Sequence, residues 1–143
     1  DALLRRGNRL FCLATDDNHD RFPPENPLCD SFGGFVMIKA PKLDYETIFA
    51  ALEHGDFYAS MGPEIHSLTF EDGMLHVETS EVRSIHMTTN ARRAEVLHAE
   101  HGKTIHEATF HVLPSDGYIR LQIIDREGMR ANSNAYFTDT LFA

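Results

Sequence analysis

A chain of 143 residues with 42% hydrophobic content can bury one substantial core, and its composition is that of neither a disordered segment nor a membrane-spanning one. Twenty-two acids against 13 bases leave a formal net charge of -9, which opposes a large electrostatic grip on nucleic acid; no nucleic-acid and no membrane partner is expected. Two cysteines, Cys12 and Cys29, do not make a disulfide framework, so free thiols and a cytoplasmic location are the default expectation.

In chain order, Asp1 to Gly7 reads as the last turn of a helix, with Arg5 and Arg6 near its carboxyl end and Gly7 as its cap. The apolar run Leu10-Phe11-Cys12-Leu13-Ala14 predicts a buried strand, with Cys12 a core thiol rather than a nucleophile. Directly after it come Thr15-Asp16-Asp17-Asn18-His19-Asp20. In a tight, non-helical loop, oxygen and nitrogen donors at i and i+2 can reach one divalent cation, and Asp17 and His19 have that spacing. The competing reading is an Asx-rich turn, because Asp and Asn bond their own backbone wherever a chain reverses.

Residues 21 to 43 form a connector rich in Pro and Gly around one short strand, Phe35 to Lys39. Asp44 then caps a helix in which Tyr45, Ile48, Phe49 and Leu52 share a face and Gly55 closes the last turn, most simply a core helix. Tyr58 to Pro63 reads as a strand and a sharp turn, with a substrate-lining loop as the less favoured reading. From residue 63 the apolar period changes to two. Strands are expected near 68–70, 75–78, 82–88, 94–99, 103–113 and 118–125, with Ala135 to Thr138 as an edge, and Leu75, Val77, Ile85, Phe110, Val112, Leu121 and Ile123 as core. Several strands spaced by turn signals predict an antiparallel β-sandwich. Of the nine histidines, His76, His86, His98 and His111 occupy polar positions of alternating strands, and no spacing of metal-site type links them; His98 and His106 flank one hairpin and are the best pair of the group.

Residues 10 to 20 resemble the last metal-binding loop of the PHP (polymerase and histidinol phosphatase) superfamily, in which a strand ends in an Asp-x-His pair, here Asp17-Asn18-His19. The runs Gly34 to Pro41 and Ile48 to Pro63 are similar to the segment that follows that loop, and Asp125 to Asn134 to the tail of the same proteins. The resemblance implies that Asp17 and His19 are metal ligands, with Asp16 and Asp20 as auxiliary ligands or supporting partners, and that the metal is Zn, Mn or Fe. A PHP site also needs a His-x-His near the start of its barrel, and the sequence contains none.

The expectation is therefore an α+β, mainly β chain: residues 1–62 a truncated β/α remnant of a PHP barrel, and 63–143 an antiparallel β-sandwich. Its function would be that of the carboxyl-terminal portion of a metal-dependent hydrolase, phosphoesterase-like, with an upstream barrel segment of the same protein as its partner and a small phosphoester or ester as its substrate. A fragment with so few ligands is expected to be inactive alone. The alternative is a noncatalytic β-sandwich module that binds a ligand or another domain.

Overall fold

The computed structural model describes residues 1–90 and 93–143. Its chain is mainly β, in two antiparallel sheets that share one core. The first sheet orders β1 (Phe35–Ile38), β2 (Phe57–Ser60), β9 (Arg130–Ser133), β8 (Tyr118–Ile124), β5 (Ser84–Thr89) and β6 (Ala94–His98), with β10 (Tyr136–Phe137) beside the start of β8. The second orders β3 (Ile65–Glu71), β4 (Met74–Val82) and β7 (Ile105–His111).

Local chemistry explains most of these elements. β3 and β4 are joined at Asp72-Gly73, both in the left-handed region at φ 49° and 78°, the combination a two-residue hairpin with the native twist requires. Along β4, Leu75, Val77 and Thr79 point inward while His76 and Glu78 point out. β8 lies at the centre of its sheet, and Ile119, Leu121 and Ile123 meet Leu75, Val77 and Phe110 of the second sheet in one cluster. All seven residues expected in the core are buried. The apolar area removed from water there, at about 25 cal/mol per Å², is the main term holding the two sheets together.

Three α-helices and a 3-10 turn at Pro114–Asp116 complete the described chain. In α1 (Ala2–Arg5) the amides of Gly7 and Asn8 close back onto Leu4 and Leu3, the pairing of a glycine-terminated helix end. α2 (Tyr45–His54) is capped by the Asp44 carboxylate, which accepts the Thr47 N–H at 2.9 Å, and closed by Gly55 at φ 80°. Lys42 and then Thr47 hold the Asp44 carboxyl below its ordinary pKa. α3 (Thr138–Leu141) follows β10.

Several expectations need correction. Leu10 to Ala14 is not a strand: Leu10, Phe11 and Leu13 are 50%, 51% and 60% exposed, and Cys12 is exposed rather than core. An apolar run becomes a strand only where neighbours take its backbone groups, and among the described residues no strand flanks this one. α2 is not a core helix either, since only Ala51 is buried and Tyr45 and Phe49 are 80% and 48% exposed. It lies against β1 and leaves Tyr45 and Phe49 in water. His98 does not face His106, because the turn Glu100 to Lys103 carries the chain from β6 in one sheet to β7 in the other. His98 instead packs its ring against His86 on the neighbouring strand, centroids 5.8 Å apart. β9 was not expected as a strand, since Arg130-Ala131-Asn132-Ser133 offers the core only small side chains. It pairs with β2 at Tyr58 to Ser60, so hydrogen bonds of the first sheet cross the expected division at 62/63.

Candidate metal loop

The segment bearing Asp16 to Asp20 is anchored at both ends by tertiary contacts. Upstream, the Cys12 N–H donates to the Asn134 side-chain oxygen at 3.0 Å, and the Asn134 amide nitrogen donates to the carbonyls of Gly55 and Phe57, each at 3.0 Å. Phe11 stacks edge-on against Phe57 at 5.9 Å and covers Gly55 so closely that a Cβ there would strike its ring. Downstream, the loop lies against residues 30–34. Gly34 makes this approach possible, because a Cβ at that position would sit 2.9 Å from the Thr15 carbonyl oxygen.

Within the loop the polar side chains divide their work. The Asp16 carboxylate accepts the Phe32 N–H, and Asn18 donates to the Ser31 hydroxyl at 2.7 Å while accepting the Asp20 N–H. The Asn18 bond to the Asp20 N–H is that of an Asx turn, whereas Asp16 is engaged across the loop by the Phe32 backbone. Asp30 accepts the His19 N–H at 2.9 Å through one carboxylate oxygen; its other oxygen is buried without a protein partner. The Asp17 and Asp20 carboxylates and His19 Nε2 make no hydrogen bond among the described residues, and all three residues are exposed. Asp17 and Asp20 each take φ 53°, and Phe32 opposite takes φ 66°. Left-handed backbone at non-glycine residues costs of order 1 kcal/mol or more each and must be held by its surroundings. Here the holding groups are Asp16, Asn18 and Asp30.

The His19 ring is oriented by its own loop. Its Nδ1 lies 2.6 Å from the Asp17 carbonyl oxygen and 4.0 Å from the Asp30 carboxylate. Among the described residues there is no group of three or more His, Cys, Asp or Glu side chains placed to hold a metal ion together. Asp17 and His19 are thus at most part of a coordination shell, with Asp20 beside them and Asp16 engaged by backbone.

Sequence reasoning missed Asp30 and Asn134, the two side chains that set the loop in place. Nothing local distinguishes Asp30 from any acidic residue of a Pro- and Gly-rich connector, and Asn134 reads as an ordinary turn residue. The Tyr58 to Pro63 segment has a structural explanation: the buried Ser60 hydroxyl donates to the Pro63 carbonyl at 2.7 Å and accepts the Gly62 N–H at 2.9 Å. Tyr58 accepts the Ile65 N–H at 3.1 Å, and burial raises its pKa. Among the described residues no helix is long and apolar enough to cross a membrane. No family model, curated protein or solved structure matches the chain.

Proposed function

We propose that this chain carries the last metal loop and an appended β-sandwich of a PHP-type metal-dependent hydrolase acting on a phosphoester or related ester. One observation carries the reading. The Asp17 carbonyl oxygen 2.6 Å from His19 Nδ1 can only accept, so Nδ1 carries a proton and Nε2 is the nitrogen left to offer a lone pair to a metal whenever the ring is neutral. Metal-binding imidazoles are tied in this way, through the nitrogen that does not ligate. The Asp17 carboxylate, two residues before it, makes no hydrogen bond among the described residues and sits on backbone strained into the left-handed region.

Asp17 and His19 would hold a divalent ion, Zn, Mn or Fe, with Asp20 as an auxiliary donor and Asp16 and Asp30 holding the loop. Such an ion, when bound, lowers the pKa of its water and offsets the charge that develops on the ester oxygens. Two donors leave its shell incomplete, and the remainder would come from an upstream barrel segment of the same protein, without which this chain is inactive. The exposed side chains of Leu10, Phe11, Leu13, Leu28 and Phe32, all within residues 10–32, support such a partner, since large apolar side chains left in water are the kind that another element covers. The noncatalytic module draws its support from a different place, the stacked and exposed Tyr45 and Phe49 on α2.

The test is made in the protein that contains both barrel segment and loop. Asp17→Ala and His19→Ala are expected to lower bound metal and to cut Mn-dependent hydrolysis of an aryl phosphate at least a hundredfold, with the sandwich still folded. His111→Ala, on the exposed face of β7, is expected to do neither. Full activity and metal content in both loop variants would leave only the Asx turn.

A further inference from the structure

We propose that the cleft between the start of β5, the β6–β7 connection and the β8–β9 turn binds the phosphate group of a small phosphorylated molecule. The proposal is independent of the metal loop, being built from other elements. Arg83, His98, His101, Lys103 and Arg126 line a cavity of about 470 Å³, within the size range of small-molecule sites.

The cleft is held by main-chain bonds as well as by side chains. Arg83 sits between two of the strand ends: its N–H donates to the Ile124 carbonyl, and its own carbonyl accepts the Ala99 N–H, both at 2.8 Å. Arg126 donates to the Gly102 carbonyl at 3.1 Å, which ties the β8–β9 turn to the β6–β7 connection. Lys103 is paired with Glu100, the one carboxylate of the lining. Among the described residues Arg83 and Arg126 have no carboxylate partner.

Charge makes this arrangement informative. In a chain of net charge -9, this cleft is lined by two guanidinium groups, two imidazoles and a lysine against a single carboxylate. Repulsion from nearby cations is a secondary influence on the adjoining sheet face: His86 is held below its ordinary pKa by burial first, then by His98, Arg130 and Arg83. A phosphate placed among these groups would offset that repulsion, and the planar fork of an arginine matches two phosphate oxygens at once. The acidic remainder of the surface disfavours an extended polyanion, so the occupant is small.

The full chain, without added metal, would be titrated with inorganic phosphate and with phenyl phosphate at constant ionic strength, following the ring resonances of His86, His98 and His101 by NMR. Saturable binding of both, phenyl phosphate at least as tight as phosphate, and saturable shifts of the His98 and His101 ring resonances are expected. Arg83→Gln and Arg126→Gln should each weaken binding at least tenfold, while Lys42→Gln, whose ammonium pairs with Asp44 before α2, should leave it unchanged. Arg126 lies on an exposed turn, so its variant keeps the test intact if Arg83→Gln unfolds. A linear, unsaturable response, an equal loss in Lys42→Gln, or binding of inorganic phosphate alone would overturn the proposal.

Discussion

Replacing Asn134 by Ala tests how the candidate loop is fastened to the sandwich. Asn134 is only 4% exposed, and its side chain makes three hydrogen bonds at 3.0 Å, to the Cys12 N–H and to the carbonyls of Gly55 and Phe57. Each bond contributes about 1 kcal/mol net, and each backbone group stranded without a partner adds to the loss, so about 3 kcal/mol is expected. That is a large share of the 5–15 kcal/mol typical of a domain, and it corresponds to a fall of about 10 °C in Tm at about 3 °C per kcal/mol. Asn134→Asp should be worse, because a carboxylate would face two carbonyl oxygens with no donor to give. Urea unfolding measures the global cost. Amide exchange at Cys12 measures whether the segment bearing the loop has come away. A loss below 1 kcal/mol, or unchanged protection at Cys12, would show that Asn134 is not the clamp.

Phe110→Ala should cost about 3–5 kcal/mol in urea unfolding, since the ring is 4% exposed inside the shared core and leaves a cavity neighbours cannot fill; a loss near 1 kcal/mol would refute the two-sheet core. Gly55→Ala should cost about 1–2 kcal/mol from the left-handed backbone at φ 80° and more from collision with Phe11, read by urea unfolding and by faster exchange at Cys12. His86 titrates below its ordinary 6.5 in the folded state, so between the folded value and 6.5 the unfolded chain binds more protons and stability rises with pH. Its contribution is complete above 6.5 and is lost as pH falls through the folded value. His86→Gln should therefore flatten the decline of Tm as pH falls below 6.5, and an unchanged slope would remove His86 as its source.

Elements written in local chemistry were legible in the amino-acid sequence. Asp44 and Gly55 bound α2, Asp72-Gly73 turns β3 into β4, and alternation along β4, β5, β7 and β8 names the core, because each signal depends on a residue and its near neighbours. The Asp17-Asn18-His19 spacing was legible for the same reason, and so was the competing turn, which Asn18 forms with Asp20. Tertiary structure alone decided the rest. Leu10 to Ala14 has the apolarity of a strand but no strand beside it, and hydrogen bonding to a neighbour is a property of the fold rather than of the segment. β9 is the reverse case: its Arg-Ala-Asn-Ser sequence carries little strand signal, yet β2 and β8 on either side supply the partners that make it one. His98 met His86 instead of His106 because a four-residue turn changed sheets, which spacing cannot report. Asp30 and Asn134 act across 11 and 122 residues of chain, so no local pattern could have revealed them as the side chains that hold the loop.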